Sequence, residues 1–395
     1  VTERPESSNS SPTALLLNTG HALDHLFLLI FASAAAAIAA EWGMGWQDLM
    51  PYTTGAFLMF GLGALPAGRL GDLWGRRAMM IVFFAGTGAS ALLVALARGV
   101  WSLAAALTLM GAFASIYHPV GIPMIVQHSR KPGFTIGLNG LAGNLGIAAA
   151  AVLTGLLVKH AGWRAAFVVP GVLALACAGL FAGVVPREDT PPSRRPSSGV
   201  IAPPSEVARV FLVMSLAAVS SALIFNFTTN GNGQLLAERL GSRVPDPALL
   251  GLLLAVVYVV ASFAQLVVGK LIDRFPLKRV YLPVVAAQVP LFLLAAHTSG
   301  WALYGTVVLF MVFVFGAVPF VDALIVQYVD DRMRSRVAGM RLVVSFGVSS
   351  LAVYLLGPTV KNAGFATLLR VMAAISLCTT LFVSMLPRSP PASRG

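Results

Sequence analysis

Gly68-Arg69-Leu70-Gly71-Asp72-Leu73-Trp74-Gly75-Arg76-Arg77 places four charges and three glycines between two long apolar runs. Such a stretch reads as a short basic hairpin joining two membrane-crossing helices. The chain repeats it as Gly269-Lys270-Leu271-Ile272-Asp273-Arg274, with Lys278-Arg279 behind. Gly68, Leu70 and Asp72 recur as Gly269, Leu271 and Asp273, 201 positions on, and Arg69 recurs as Lys270. A chain of two similar membrane halves fits an alternating-access carrier, in which two bundles rock about a shared central site.

Composition agrees. The 395 residues are 57% hydrophobic and 11% charged, with a mean hydropathy of +0.83. A soluble domain uses about a quarter of its residues as charges to solvate its surface; this surface must largely face lipid. Cys177 and Cys378 lie in apolar runs and imply no disulfide framework.

Apolar segments of about 20 residues, enough to cross a bilayer, are read at 14–40, 51–68, 78–97, 101–126, 134–158 and 164–185, then at 208–230, 249–269, 280–297, 301–327, 338–360 and 365–386. The expected fold is an all-α integral membrane protein with twelve transmembrane helices in two six-helix bundles related by a pseudo-twofold axis. The expected divisions are a cytoplasmic tail at 1–13, a first bundle at 14–185, a Pro-, Ser- and Arg-rich cytoplasmic linker at 186–206, a second bundle at 207–386 and a tail at 387–395. Residues 1–12, not net basic and followed by an apolar run too long for a signal core, read as a tail and not as a cleaved signal peptide.

With both termini inside, 20 of the 27 Lys and Arg residues fall on the cytoplasmic side and 7 outside. Both halves share this bias. The net charge of +12 is therefore topological, and nucleic acid is not an expected partner. The repeat also reaches the fourth and tenth helices, where Pro119 and Ile125-Val126-Gln127 match Pro319 and Ile325-Val326-Gln327.

The hairpin at Gly68–Arg77, between helices two and three of a twelve-helix chain, resembles the loop 2–3 signature of the major facilitator superfamily. The resemblance covers essentially the whole chain. It implies a central cavity lined mainly by helices 1, 4, 7 and 10. It also implies a cytoplasmic conformational latch built from Gly68, Asp72, Gly75, Arg76 and Arg77, with Asp273 as the counterpart in the second half; the latch stabilises the outward-facing state. His118-Pro119 with Gly143-Asn144-Leu145-Gly146 is similar to the fosmidomycin-resistance type of drug exporter. Two antiporter features of that resemblance are absent: the fourth-helix arginine before Gly111 is replaced by apolar residues, and the fifth-helix Gly-Pro kink by Ala150-Ala151. Export is the leading expectation and uptake the alternative.

Ionisable groups inside a membrane are costly there and functional by default. In helix 1, His21, Asp24 and His25 share one helical face through their i, i+3 and i+4 spacing. A carboxylate beside two imidazoles suits proton coupling. The same residue types suit a divalent transition metal, and a hydrogen-bonded packing network is the third reading. His118, beside Tyr117 and before Pro119 and Pro123, lies at a similar depth in helix 4. The proton-coupling candidates are Asp24, His25, His118 and Asp322. Helix 7 is read as ending in the amide-rich run Asn226-Phe227-Thr228-Thr229-Asn230-Gly231-Asn232-Gly233-Gln234, where glycines allow bending or unwinding. The substrate-binding candidates are His21, Tyr117, Asn226, Thr229 and Asn230. Asp322 and Arg341 are expected to form a gating ion pair.

No Gly-rich loop ending in Gly-Lys-Ser/Thr is present to power transport with ATP, and no nucleophile constellation marks an enzyme. The expected function is secondary transport of a small organic solute across the cell inner membrane, coupled to protons. The expected partners are that solute, protons and lipid, with no cofactor and no resident metal, and the chain acts as a monomer. Uptake of a small polar solute or metal ion, or a receptor that binds without transporting, are the alternatives.

Overall fold

The computed structural model describes residues 12–127, 129, 132–187, 204–320, 323 and 331–385. In hydrocarbon every backbone N–H and C=O needs an internal partner, which leaves an apolar chain of this length with helices that satisfy themselves. The first half comprises α1 (Pro12–Glu41), α2 (46–74), α3 (Arg76–Ala95), α4 (Val100–Val126), α5 (Pro132–Ala161) and α6 (Trp163–Val184). The second comprises α7 (Pro204–Leu240), α8 (Pro247–Ile272), α9 (Leu277–His297), α10 (Gly300–Gly316), α11 (331–363) and α12 (365–384). Among the described residues eight segments are long and apolar enough to cross a membrane; the last of them, Val343–Ser384, contains two helices joined at Gly364. The twelve-helix, two-bundle architecture is the one read from the hairpins.

Local chemistry sets the breaks. Gly75 has φ +92°, the left-handed region that a side chain disfavours, and it ends α2 and starts α3 within one residue. Gly364 does the same at φ +75° between α11 and α12. Inside α4 the regular ladder widens to a π-turn over Tyr117–Gly121. Pro119 lacks an N–H and Pro123 opens the next helical segment, so the backbone cannot keep α-helical pairing through this stretch. Single π-turns inside α-helices concentrate at functional sites.

Helix 7 departs from its expected reading. It runs unbroken to Leu240, past the expected end near residue 230, and the bending or unwinding that its glycines allow is not used here. Four of its polar side chains fold back onto their own helix: Asn226 donates to Ala222 O, Thr228 to Ile224 O, Thr229 to Phe225 O and Asn230 to Asn226 O, while Gln234 reaches Ala32 O of α1. Asn and Gly read locally as turn formers, yet tertiary packing decides the matter and carries the helix through.

The halves meet along two seams, α5 against α8 and α2 against α11. Small residues make the approach possible. A Cβ on Gly251 of α8 would lie 2.5 Å from Ala151 O of α5. The hairpin end of the bundle is called the basic end below, and the opposite one the far end.

Candidate functional site

The helix 1 face foreseen from spacing closes on α4 and α5. Asp24 is 0% exposed, and its Oδ2 lies 3.4 Å from His118 Nδ1. Neither carboxylate oxygen of Asp24 has a hydrogen-bond partner among the described residues. His21 Nδ1 lies 2.7 Å from the main-chain oxygen of Asn139, a geometry in which Nδ1 carries the hydrogen and Nε2 is the acceptor. His25 Nε2 stands 3.2 Å from that Nε2 and so donates to it. His118 meets both rings edge-on, at centroid distances of 5.2 Å to His21 and 5.7 Å to His25. The cluster therefore joins an unbonded buried carboxylate to three imidazoles.

Burial makes that carboxylate consequential. An ionised carboxylate out of water with no donors is among the least favourable arrangements a protein can hold. Such a site calls for a compensating positive charge or hydrogen-bond donor. The three histidines offer ring nitrogens within 4.8 Å of one another. Ligands about 2.0–2.1 Å from one zinc ion stand roughly 3.3 Å apart in a tetrahedron, so the widest pair would have to close by more than an ångström. The three rings could converge on one ion only with side-chain movement.

Three residues outside the expected site complete it. Asn139 of α5 donates from Nδ2 to Asn18 Oδ1 at 2.9 Å and to the Tyr117 hydroxyl at 2.8 Å. Gly143 leaves room for the imidazoles: a Cβ there would come within 2.8 Å of His21 and 2.9 Å of His25. Gly146 brings the α5 and α1 backbones together, since its Cβ would lie 2.0 Å from Ala22 O. Gly143 and Gly146 stood in the quoted fifth-helix motif, whereas Asn139 had no local signal at all. Its partners are a hundred residues or more away or on another helix.

Other candidates take different places. Tyr117 is fully buried, stacks on His21 at 4.8 Å and donates to Leu17 O at 2.8 Å; it fastens α4 to α1. Phe346 of α11 packs on Phe60 at 4.4 Å and reaches His118 at 5.9 Å, so the second half closes over the cluster. Asn226 spans from α7 to Ser349 Oγ of α11 at 2.7 Å. Thr229 is satisfied by its own helix. Asn230 is 2% exposed and its Oδ1 has no partner among the described residues. Arg76 donates to Gln127 Oε1 at 3.0 Å, while Arg77 donates to Val185 O at 2.7 Å and to Ala182 O. Asp72 is partly buried and Asp273 exposed, and neither has an ion pair among the described residues. The expected Asp322–Arg341 pair lies outside the described residues.

Comparison with known proteins adds the following. The Major Facilitator Superfamily model matches residues 17–236 and again 210–395. The tetracenomycin C resistance and export protein of Streptomyces glaucescens is 30% identical over 190 residues, which is 47% of this chain and 35% of that protein. The probable actinorhodin transporter of Streptomyces coelicolor is 31% identical over 142 residues, 34% of this chain and 25% of that one. A gallate transporter of Pseudomonas putida is 24% identical over 168 residues, 42% and 37% of the two chains. The matches thus span about a quarter to a third of those relatives' lengths. Among solved structures, the inward-open xylose transporter XylE from E. coli superposes with a TM-score of 0.77 at 11% identity, over 96% of each chain. A bacterial homologue of the human lysosomal transporter Spinster, inward-facing and occupied, gives 0.73 at 16% identity over 94% of each. At such identities the likeness is one of fold.

Proposed function

The chain belongs to the Major Facilitator Superfamily, and on that premise we propose that it is a proton-coupled secondary transporter of a small organic solute, working in the direction of export. The observation that carries the coupling is Asp24, wholly buried, without a hydrogen bond to either oxygen among the described residues, and 3.4 Å from His118. A protonated Asp24 is neutral and stable where it sits. Rocking of the halves that wets the α1–α4 seam lets the proton leave, and the emptied carboxylate then favours the hydrated state. Proton binding is thereby tied to which side is open, which is what coupling requires.

In this reading both termini and the basic end face the cytoplasm of a cell inner membrane, because the cations accumulate there. The chain acts as a monomer. The solute sits between the halves, with Asn230 offering to a donor on the substrate an Oδ1 that has no partner among the described residues. The Asp72, Arg76 and Arg77 latch engages in the outward-facing state; here Arg76 is bonded to Gln127, just past α4, and Arg77 to Val185, just past α6. Export is favoured by the relatives, among them a resistance and export protein. Uptake is the second reading, supported by Ala150-Ala151 and the apolar residues before Gly111 standing where antiporter signals belong.

The test is a solute screen in proteoliposomes under an imposed pH gradient. A solute that moves against its own gradient only when the pH gradient is present supports the reading, and the orientation of movement decides between export and uptake. Binding without flux would make the protein a receptor. Flux that ignores pH but stops on chelation would point to a metal at the histidines.

A further inference from the structure

The two seams between the halves end, at the far end, in the same device built twice. Lys159 Nζ of α5 lies 2.5 Å from Asp246 Oδ2 at the start of α8. Lys361 Nζ of α11 lies 2.6 Å from Asp48 Oδ1 at the start of α2. Each lysine follows a glycine by four residues, and both members recur: Gly155 and Lys159 return as Gly357 and Lys361, 202 positions on. Each glycine sits against the backbone beside the partner aspartate. A Cβ on Gly155 would lie 2.5 Å from Pro247 O, and one on Gly357 would lie 2.0 Å from Gln47 O.

The chemistry is the same at both. Each lysine lies near the C-terminus of its helix and each aspartate at the N-terminus of the facing one, where the helix dipoles favour those signs. Asp246 also caps α8, its Oδ1 accepting from Ala248 N at 2.9 Å. Every charge thus retains a favourable setting when its partner is removed. The lysines are 41% and 54% exposed and the aspartates 35% and 44%, so water reaches all four and parting strands no charge in the bilayer. Paired ions of this kind hold weakly and reversibly. Beneath the first pair lies a cavity of about 370 Å³ shared by the halves, with Ser33, Gly155, Gly233, Gln234 and Gly251 in its wall.

We propose that Lys159–Asp246 and Lys361–Asp48 are duplicated clasps of the far-end gate, one on each seam, and that both part whenever that end opens. The inference rests on the alternating-access reading above but adds four gate residues to it. It has a readout that needs neither substrate nor proton gradient.

That readout is labelling of Ser33→Cys by a membrane-impermeant maleimide from the far-end side, in vesicles of known orientation, with Cys177→Ala and Cys378→Ser as background. Exposed ion pairs shift an equilibrium by about 1.4- to 5-fold each. Asp48→Asn and Asp246→Asn should each raise the labelling rate by such a factor, and together by roughly the product, because the seams are separate. Added salt should accelerate labelling in the parent and have little effect in the double variant. Lys159→Arg, which keeps the ion pair, should label at the parent rate, whereas Lys159→Gln should label faster. Labelling that stays at the parent rate with both pairs broken, or Lys159→Arg as open as Lys159→Gln, would overturn the clasps. Faster labelling in a protein that moves no solute would keep the clasps and count against transport instead.

Discussion

The first helices of the two halves occupy matched places and carry opposite chemistry. Asp24 of α1 and Asn226 of α7 stand 202 positions apart, the same spacing that relates the far-end lysines. Asp24 is buried with both oxygens unbonded among the described residues and faces a histidine. Asn226, also buried, spends its amide hydrogens on Ala222 O and Ser349 Oγ. At this place one half therefore holds a buried carboxyl without a hydrogen-bond partner among the described residues, and the other holds a neutral amide already bonded. Duplicated architecture does not require duplicated function: in the proposed reading the coupling acid lies in the first half, and at the matched place the second half carries a neutral amide.

The comparison breaks most readily at Asp24. Asp24→Asn should reduce pH-driven accumulation to the passive ratio while leaving solute exchange, since the amide imitates the protonated acid and releases nothing. Adding Asn226→Asp to that variant should not restore accumulation, because the described partners of residue 226 are Ala222 O and Ser349 Oγ and not an imidazole. Recovery would show that the two positions are interchangeable.

The support under the cluster gives the next largest effects. Gly146→Val forces a branched side chain into the Ala22 carbonyl and should cost at least about 1–3 kcal/mol, the usual toll of overpacking, read from thermal unfolding in detergent. Asn139→Ala removes two donated bonds and leaves Asn18 and Tyr117 short of a partner. It should cost about 1–3 kcal/mol and shift the pH profile of transport, whereas a site that ignores α5 would show the first effect without the second.

How much of this was legible beforehand varied with the distance over which each feature is determined. The hairpins, the spans and the His21, Asp24 and His25 face are local patterns of hydropathy and helical spacing, and they reappear in the structure. Asn139 could not be read, because its role depends on residues of α1 and α4 that only packing brings close. Helix 7 was misjudged for the complementary reason. Asn and Gly favour turns in isolation, yet Asn226 and Asn230 each found a carbonyl one helical turn back, and Gln234 found Ala32 O across the halves.

Smaller effects sharpen the contrast in the second half. Asn230→Ala should raise the apparent KM by about two- to tenfold, the value of one hydrogen bond. Asn226→Ala should change it less and leave coupling intact, with stability lower by about 0.5–1.5 kcal/mol. The smallest effect expected is at the far end. Its hydrogen bond from Lys159 holds the Asp246 carboxyl below the ordinary carboxylate range. A depressed group stabilises above its unfolded value and loses that contribution only as pH falls through the folded one. Far-end labelling of Ser33→Cys should accordingly stay flat from about pH 8 to pH 5 and rise only in stronger acid.

The central claim is that Asp24 gains and loses a proton as the protein works. Infrared difference spectra of the protein in lipid, recorded across a pH titration, read this without any substrate. A protonated-carboxyl band that appears and disappears with pH in the parent, is absent from Asp24→Asn and persists in Asn226→Ala is the predicted result. The same band, unchanged in Asp24→Asn, would place the titrating acid elsewhere and contradict the account.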